Sequence, residues 1–212
     1  MRNKKIIVCA LSIIISILLI IDIKLSHILT PLDNLINQQT ITIWTPALST
    51  FFVYLTDLAN TWVISILSLA LILLFYYYKQ KRKAFLITIT IASSFILTYG
   101  LKALIQRSRP ENALIGAEDF AFPSGHALKS LIFFGLLIYL FKDKIESKTK
   151  RYIFILFCTI LIILIGASRL YFRYHYFTDI LGGYALGIAI LTVAIYLIER
   201  NQSNSGFPQQ FP

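Results

Sequence analysis

The stretch Pro-Ser-Gly-His-Ala-Leu-Lys-Ser-Leu-Ile-Phe-Phe-Gly-Leu-Leu-Ile-Tyr-Leu-Phe, residues 123–141, sets a short polar cluster at the head of a long apolar run. The same kind of junction occurs twice more. Lys102-Ala-Leu-Ile-Gln-Arg-Ser-Arg109-Pro110 closes the apolar run 84–101. Ser168-Arg169-Leu-Tyr-Phe-Arg-Tyr-His175-Tyr-Phe-Thr-Asp179 joins the runs 152–168 and 181–198. Charged residues and histidines are costly at membrane depth, where they face protein or water and usually mark function. Two of the chain's three histidines, His126 and His175, lie in these clusters.

Working outward, the whole chain is apolar. Of its 212 residues 57% are hydrophobic, and the mean hydropathy is +0.73. A soluble protein of this length rarely carries so much apolar surface, so the class is a polytopic membrane protein. The runs predict spanning helices at 6–23, 61–78, 84–101, 126–141, 152–168 and 181–198. The fold class is therefore all-α, a six-transmembrane-helix bundle. No linker divides it, so residues 1–200 read as one domain. The polar, Pro-containing segment 201–212 reads as a disordered cytoplasmic tail. Arg2, Lys4 and Lys5 open the first run, and no Ala-x-Ala site follows it, so the run reads as an uncleaved anchor. Segment 24–60, with Trp44, Pro46 and the apolar Leu48 to Leu55, reads either as an interfacial helix or as a structured loop. Cys9 and Cys158 fall inside apolar runs; they read as small buried residues, with neither a disulfide nor metal-ligand spacing.

The net charge of +10 is distributed unevenly. With the N-terminus in the cytoplasm, the inner side holds thirteen lysines and arginines against Asp143, Glu146 and Glu199. The outer half holds seven bases and seven acids, so the whole excess lies inside, as the positive-inside rule requires. The basic loops are topology signals, and a nucleic-acid role is excluded as their explanation. All three clusters then fall on the same, non-cytoplasmic side.

Each cluster suggests chemistry, with a simpler reading beside it. His175 and Asp179 are four residues apart and share a face if helical. The carboxylate can then accept the Nδ1 proton and leave Nε2 as a nucleophile, with Arg169 folding back onto the phosphate. Otherwise this is an interfacial His among aromatics. Ser124, Gly125 and the backbone amides of Ser124, Gly125 and His126 can cradle an anion at a helix N-terminus, with His126 as general acid. Otherwise Pro-Ser-Gly is a turn and N-cap. Lys102 and Arg109 can neutralise a phosphoryl transition state, or merely snorkel.

Taken together, Lys-x6-Arg-Pro, Pro-Ser-Gly-His and Ser-Arg-x5-His-x3-Asp resemble the type 2 phosphatidic acid phosphatase (PAP2) superfamily, the lipid phosphate phosphatases. The motifs cover residues 102–179, and the six-helix layout covers the chain. The resemblance implies that His175 attacks phosphorus and is oriented by Asp179. His126 protonates the leaving group and later activates water. Lys102, Arg109, Ser124, Gly125 and Arg169 hold the phosphate, and no metal or other cofactor is used. Position 173 is Arg where relatives often have Gly, and position 177 is Phe where Pro is common. Lys129 stands where a small or polar residue is more usual. Lys129, Arg107 and Arg173 read either as contacts to a second phosphate or headgroup, or as snorkelling cations. Glu111, Glu118 and Asp119 read as a lid or as solubilising charges.

The resulting expectation is a bacterial plasma-membrane lipid phosphatase with both termini cytoplasmic and its site facing outward. Its partners would be the bilayer and a phosphorylated lipid: undecaprenyl diphosphate, phosphatidylglycerol phosphate or phosphatidic acid. The alternatives are a lipid phosphotransferase using the same site, including a lipid A type, and a non-catalytic lipid-phosphate binder or transporter. The sequence carries no signal for oligomeric state.

Overall fold

Eight helices account for nearly all of the computed structural model, which describes residues 2–111, 113 and 119–205. In chain order they are α1 Arg2–Ile21, α2 Thr30–Thr42, α3 Pro46–Asp57, α4 Thr61–Tyr77, α5 Lys81–Ile105, α6 Gly125–Phe141, α7 Lys148–Tyr171 and α8 Phe177–Ser205. Five stretches are long and apolar enough to cross a membrane: Asn3–Ser26, Lys81–Ile105, Gly125–Lys144, Lys148–Tyr171 and Phe177–Arg200. The pair α3 and α4 passes the same test of length and composition when taken together, bent by 42° at their junction, which gives five or six candidate crossings among the described residues. Lipid-facing side chains such as Ile7, Leu18, Ile66 and Ile163 are largely exposed. Only helices or closed barrels satisfy their own backbone groups in lipid, which fits this arrangement.

Segment 24–60 is two helices joined by a turn, and both reach the polar end of the bundle. Asp22 ends the first span: its Oδ1 accepts from Ser26 Oγ and from Ile28 N, each at 2.8 Å. Thr45 caps α3, its hydroxyl accepting from Leu48 N at 3.3 Å, with Pro46 at the first helical position. The Tyr171 hydroxyl at the end of α7 meets Ser49 Oγ at 2.8 Å and the Thr45 backbone at 3.1 Å. This pins α3 to α7. At its C-terminal end α8 runs to Ser205, beyond the expected 198. The remainder of the expected disordered tail, 206–212, lies outside the described residues.

The two ends of the bundle differ in chemistry. At one end Lys5 of α1 is ion-paired to Glu199 of α8. Lys142 and Arg151 flank Asp143, Lys142 at 2.6 Å and Arg151 at 3.9 Å. At the other end the C-termini of α5 and α7 meet the N-termini of α6 and α8, and these junctions carry the three clusters. Helix α8 packs against α1, α5 and α6, with glycines at the close approaches. A Cβ added at Gly183 would lie 2.7 Å from the Ser124 carbonyl and 3.1 Å from Ala127 Cβ. Arg173, in the turn between α7 and α8, has φ of 55°, a left-handed conformation that favours glycine.

Because Gly183 lets α8 touch the backbone just before α6, Gly183→Ala should destabilise the protein by about 1–3 kcal/mol. Thermal unfolding in detergent should show a lower midpoint. An unchanged midpoint would mean that the two helices can part without cost.

Candidate active site

The turn before α8 organises the site. Asp179 is the third residue of α8, and its Oδ2 reaches back to accept from Tyr176 N at 2.8 Å. This is the reciprocal bond by which a third-position side chain caps a helix start. His175 stands just before that cap, in the turn, and is not helical. The expected helical spacing is therefore corrected: His175 and Asp179 meet because the carboxylate bends back. His175 Nδ1 is 3.6 Å from Asp179 Oδ2, close but not hydrogen-bonded. Asp179 is fully buried and His175 is 3% exposed, so the pair sits away from water.

Asp179 also ties the clusters together. Its backbone carbonyl accepts from Ser124 N at 3.0 Å. That bond removes the Ser124 amide from the expected anion cradle and leaves the amides of Gly125 and His126 at the open first turn of α6. The Ser124 hydroxyl does not cap α6 either; it is buried, with no hydrogen-bond partner among the described residues. Arg109 donates from Nη1 to Tyr174 O at 2.6 Å, joining the first cluster to the third. Arg107 O accepts from Ala121 N at 2.8 Å and so fixes the loop that leads into α6.

Arg107 does not line the cavity in front of His175. Its Nη1 donates to Asp179 Oδ1 at 2.5 Å and to Thr178 Oγ1 at 2.7 Å, while Nη2 donates to Asp33 Oδ2 at 2.7 Å. Its guanidinium stacks 4.3 Å from the centre of the Tyr176 ring. Two buried carboxylates need a cation between them, and Arg107 fills that place. Burial disfavours its charge, but Asp179 and Asp33 together hold its pKa above the ordinary arginine value. Asp33 also accepts from Thr178 N at 3.0 Å and from Thr178 Oγ1 at 2.6 Å. It is the only charged residue of α2, a signal that the reading of segment 24–60 passed over. Arg173 does not reach the site; it lines a separate hollow with Trp44, Thr40 and Tyr171.

In front of His175 lies a cavity of about 220 Å³, walled by Lys102, Arg109, Asp119, Gly125, His126, Lys129, Arg169 and His175, with Thr61, Phe95, Thr98 and Tyr99. Arg169 is buried, donates from Nη1 to Thr56 Oγ1 at 3.0 Å, and stacks 4.2 Å from the centre of the Tyr174 ring. Among the described residues its Nε has no partner, and neither has His175 Nδ1. Lys102 donates to Asp119 Oδ2 at 2.6 Å and to the Phe120 carbonyl, and Arg109 pairs with Asp119 Oδ1. Burial opposes ionisation of Asp119, but Lys102 and Arg109 outweigh it and hold its carboxyl below the ordinary value. Glu118 lies outside the described residues. Burial keeps the His175 imidazole well below its ordinary pKa, and the charges of Arg169, Arg109 and Lys102 push it the same way. The ring is therefore neutral at pH 7. Cations around a neutral imidazole suit transfer of an anionic group to nitrogen.

A family model described as the PAP2 superfamily matches residues 82–203. Phosphatidylglycerophosphatase B of Bacillus subtilis (strain 168) is 32% identical over 108 residues, 50% of this chain and 53% of that protein. The chain thus matches about half the length of this relative. The crystal structure of a transmembrane PAP2-type phosphatidylglycerolphosphate phosphatase from Bacillus subtilis superposes with a TM-score of 0.82. It is 22% identical, and the match covers 91% of this chain and 96% of that one. LpxE of Aquifex aeolicus matches with a TM-score of 0.60 at 22% identity, over 79% of this chain and 94% of that one. At these identities the two structures show a shared fold.

Two outcomes follow from the site. Arg107→Ala leaves Asp33 and Asp179 without their cation and should destabilise the protein by about 3–5 kcal/mol in detergent unfolding. A headgroup contact would leave stability unchanged. In an NMR titration of ring-labelled histidine, assigned with His175→Gln, His175 should remain neutral as pH falls through the ordinary value of 6.5. The unfolded chain takes up that proton and the folded one does not. His175 therefore costs stability progressively as pH drops below that value and nothing above it.

Proposed function

The chain belongs to the PAP2 superfamily, and on that premise we propose that it is an integral membrane lipid phosphatase working through a phosphohistidine. The observation that carries the reading is the single cavity in which helix ends far apart in sequence bring Lys102, Arg109, Arg169, His126 and His175 together. Lys102, Arg109 and Arg169 bind the phosphate oxygens, helped by the Ser124 hydroxyl and the Gly125 amide. Asp179 Oδ2, 3.6 Å from Nδ1, closes onto the Nδ1 proton as the substrate fills the cavity, so His175 Nε2 attacks phosphorus. A P–N bond forms as the bond from phosphorus to the lipid oxygen breaks, and His126 gives that oxygen its proton. His126 then takes a proton from water, the resulting hydroxide attacks phosphorus, and the P–N bond breaks. The sum is lipid phosphate plus water giving the dephosphorylated lipid and inorganic phosphate. The Asp119 carboxylate, which pairs with Lys102 and Arg109, gives way to the incoming phosphate.

In orientation, the basic end with Lys5 and Glu199 is cytoplasmic and the site faces outward. That places the cavity at headgroup level of a bacterial plasma membrane, where lipid phosphates lie.

The test is phosphate release in detergent with EDTA present, from undecaprenyl diphosphate, phosphatidylglycerol phosphate and phosphatidic acid. His175→Ala should lower release from the preferred lipid on the order of 10³-fold or more, and EDTA should change nothing. Release that survives in the variant would overturn the phosphohistidine route. Transfer of phosphate to an added acceptor lipid, in place of release, would identify a phosphotransferase.

A further inference from the structure

We propose that Lys129 is the second-phosphate residue of this cavity and that the preferred substrate is a lipid diphosphate; the inference rests on the phosphatase reading above. Lys129 is 6% exposed and lines the cavity. Its Nζ donates to Thr61 Oγ1 at 2.6 Å and lies 5.4 Å from the centre of the Phe95 ring. Among the described residues no carboxylate pairs with it. A buried ammonium held only by a hydroxyl and an aromatic face lacks the anion that would offset its desolvation.

Position gives that anion a place. Lys129 follows His126 by three residues, on the same face of α6. Side chains of a helix lean toward its N-terminus. Accordingly the Lys129 stem rises past Gly125, where an added Cβ would lie 3.8 Å from Lys129 Cε. The ammonium therefore borders the group that His126 protonates, on the α4 side of the cavity. In-line displacement sends the leaving oxygen away from the attacking His175. The diacylglycerol that leaves phosphatidic acid has no charge for Lys129 to meet, and the phosphodiester of phosphatidylglycerol phosphate lies a whole glycerol away from the breaking bond, whereas a diphosphate puts an ionised phosphate on the leaving oxygen itself.

The charge balance agrees. Lys102, Arg109, Lys129 and Arg169 face one carboxylate, Asp119, which leaves three positive charges in the cavity. A phosphate monoester brings about two negative charges, and a diphosphate brings one more ionised oxygen. The reaction is cleavage between the terminal phosphorus and the bridging oxygen. The P–N bond to His175 forms, the departing lipid monophosphate takes the His126 proton, and water then releases inorganic phosphate.

The experiment compares kcat/KM for a polyprenyl diphosphate and the monophosphate of the same chain, using the full protein in detergent. In Lys129→Met the ratio of diphosphate to monophosphate turnover should fall about tenfold to a hundredfold, the range of a lost charge-assisted hydrogen bond. Lys129→Arg should restore most of it. Equal losses on both lipids would overturn the proposal and leave the phosphatase reading standing. In the wild type, methylenediphosphonate should compete about tenfold or more better than inorganic phosphate; equal competition would also overturn the proposal. A wild type that hydrolyses neither lipid would refute the phosphatase reading instead. Thermal-shift binding of methylenediphosphonate against phosphate, in wild type and Lys129→Met, would then decide the role of Lys129 alone.

Discussion

The site depends on one buried carboxylate held where water does not reach. Asp179 is 0% exposed, and each of its acceptors has a separate task. One side-chain oxygen binds Arg107; the other caps its own helix through Tyr176 N and faces His175. The backbone carbonyl of the same residue holds Ser124. An ionised group in so dry a place is tolerable only when its lone pairs are met by donors. Meeting them draws the end of α5, the start of α6 and the start of α8 to a single point. The cavity is a by-product of satisfying that residue.

The bundle was legible because apolar length is a strong signal. The ends of α4 and α6 lie within one residue of the apolar runs, and α5 and α7 extend a few residues beyond them. The polar end was legible in which residues meet and less so in how they meet. His-x3-Asp invites a helical reading, but the spacing works here because a third-position carboxylate bends back to a helix cap. Pro-Ser-Gly-His invites an amide cradle, yet the first amide is taken by Asp179. Arg107 reads as a contact to a second phosphate or headgroup, or as a snorkelling cation, beside the phosphate-holding Arg109. One residue of chain between them sends Arg107 to Asp179 and Asp33, and Arg109 to Tyr174 and Asp119. Asp33 could not be placed at all from sequence, because its partners lie more than seventy residues away. Long-range pairing of this kind leaves no local pattern, only the oddity of one charge in an uncharged helix.

The departures from the family pattern also take on a physical meaning. Arg173 sits at φ of 55°, which explains why glycine suits that position. Phe177 begins α8, where proline's fixed φ would be equally at home. Neither departure enters the cavity. Lys129 does, and it is the departure that changes the cavity's charge.

Asp119 has a consequence for how the protein discriminates among anions. It is 55% exposed at its side chain, yet it bridges Lys102 and Arg109. A tethered carboxylate acts as a competitor at high effective concentration that never diffuses away. Any anion must outcompete it to reach the two cations. Weak bystanders, such as the headgroups of surrounding acidic lipids or the inorganic phosphate left after turnover, meet that competition unaided. On the proposed reading, a lipid substrate adds the anchoring energy of its tail and contacts to the cations that Asp119 does not hold, Arg169 and Lys129. On the phosphatase reading proposed above, the latch works as a threshold, clearing spent product and admitting only ligands that bind at more than one point.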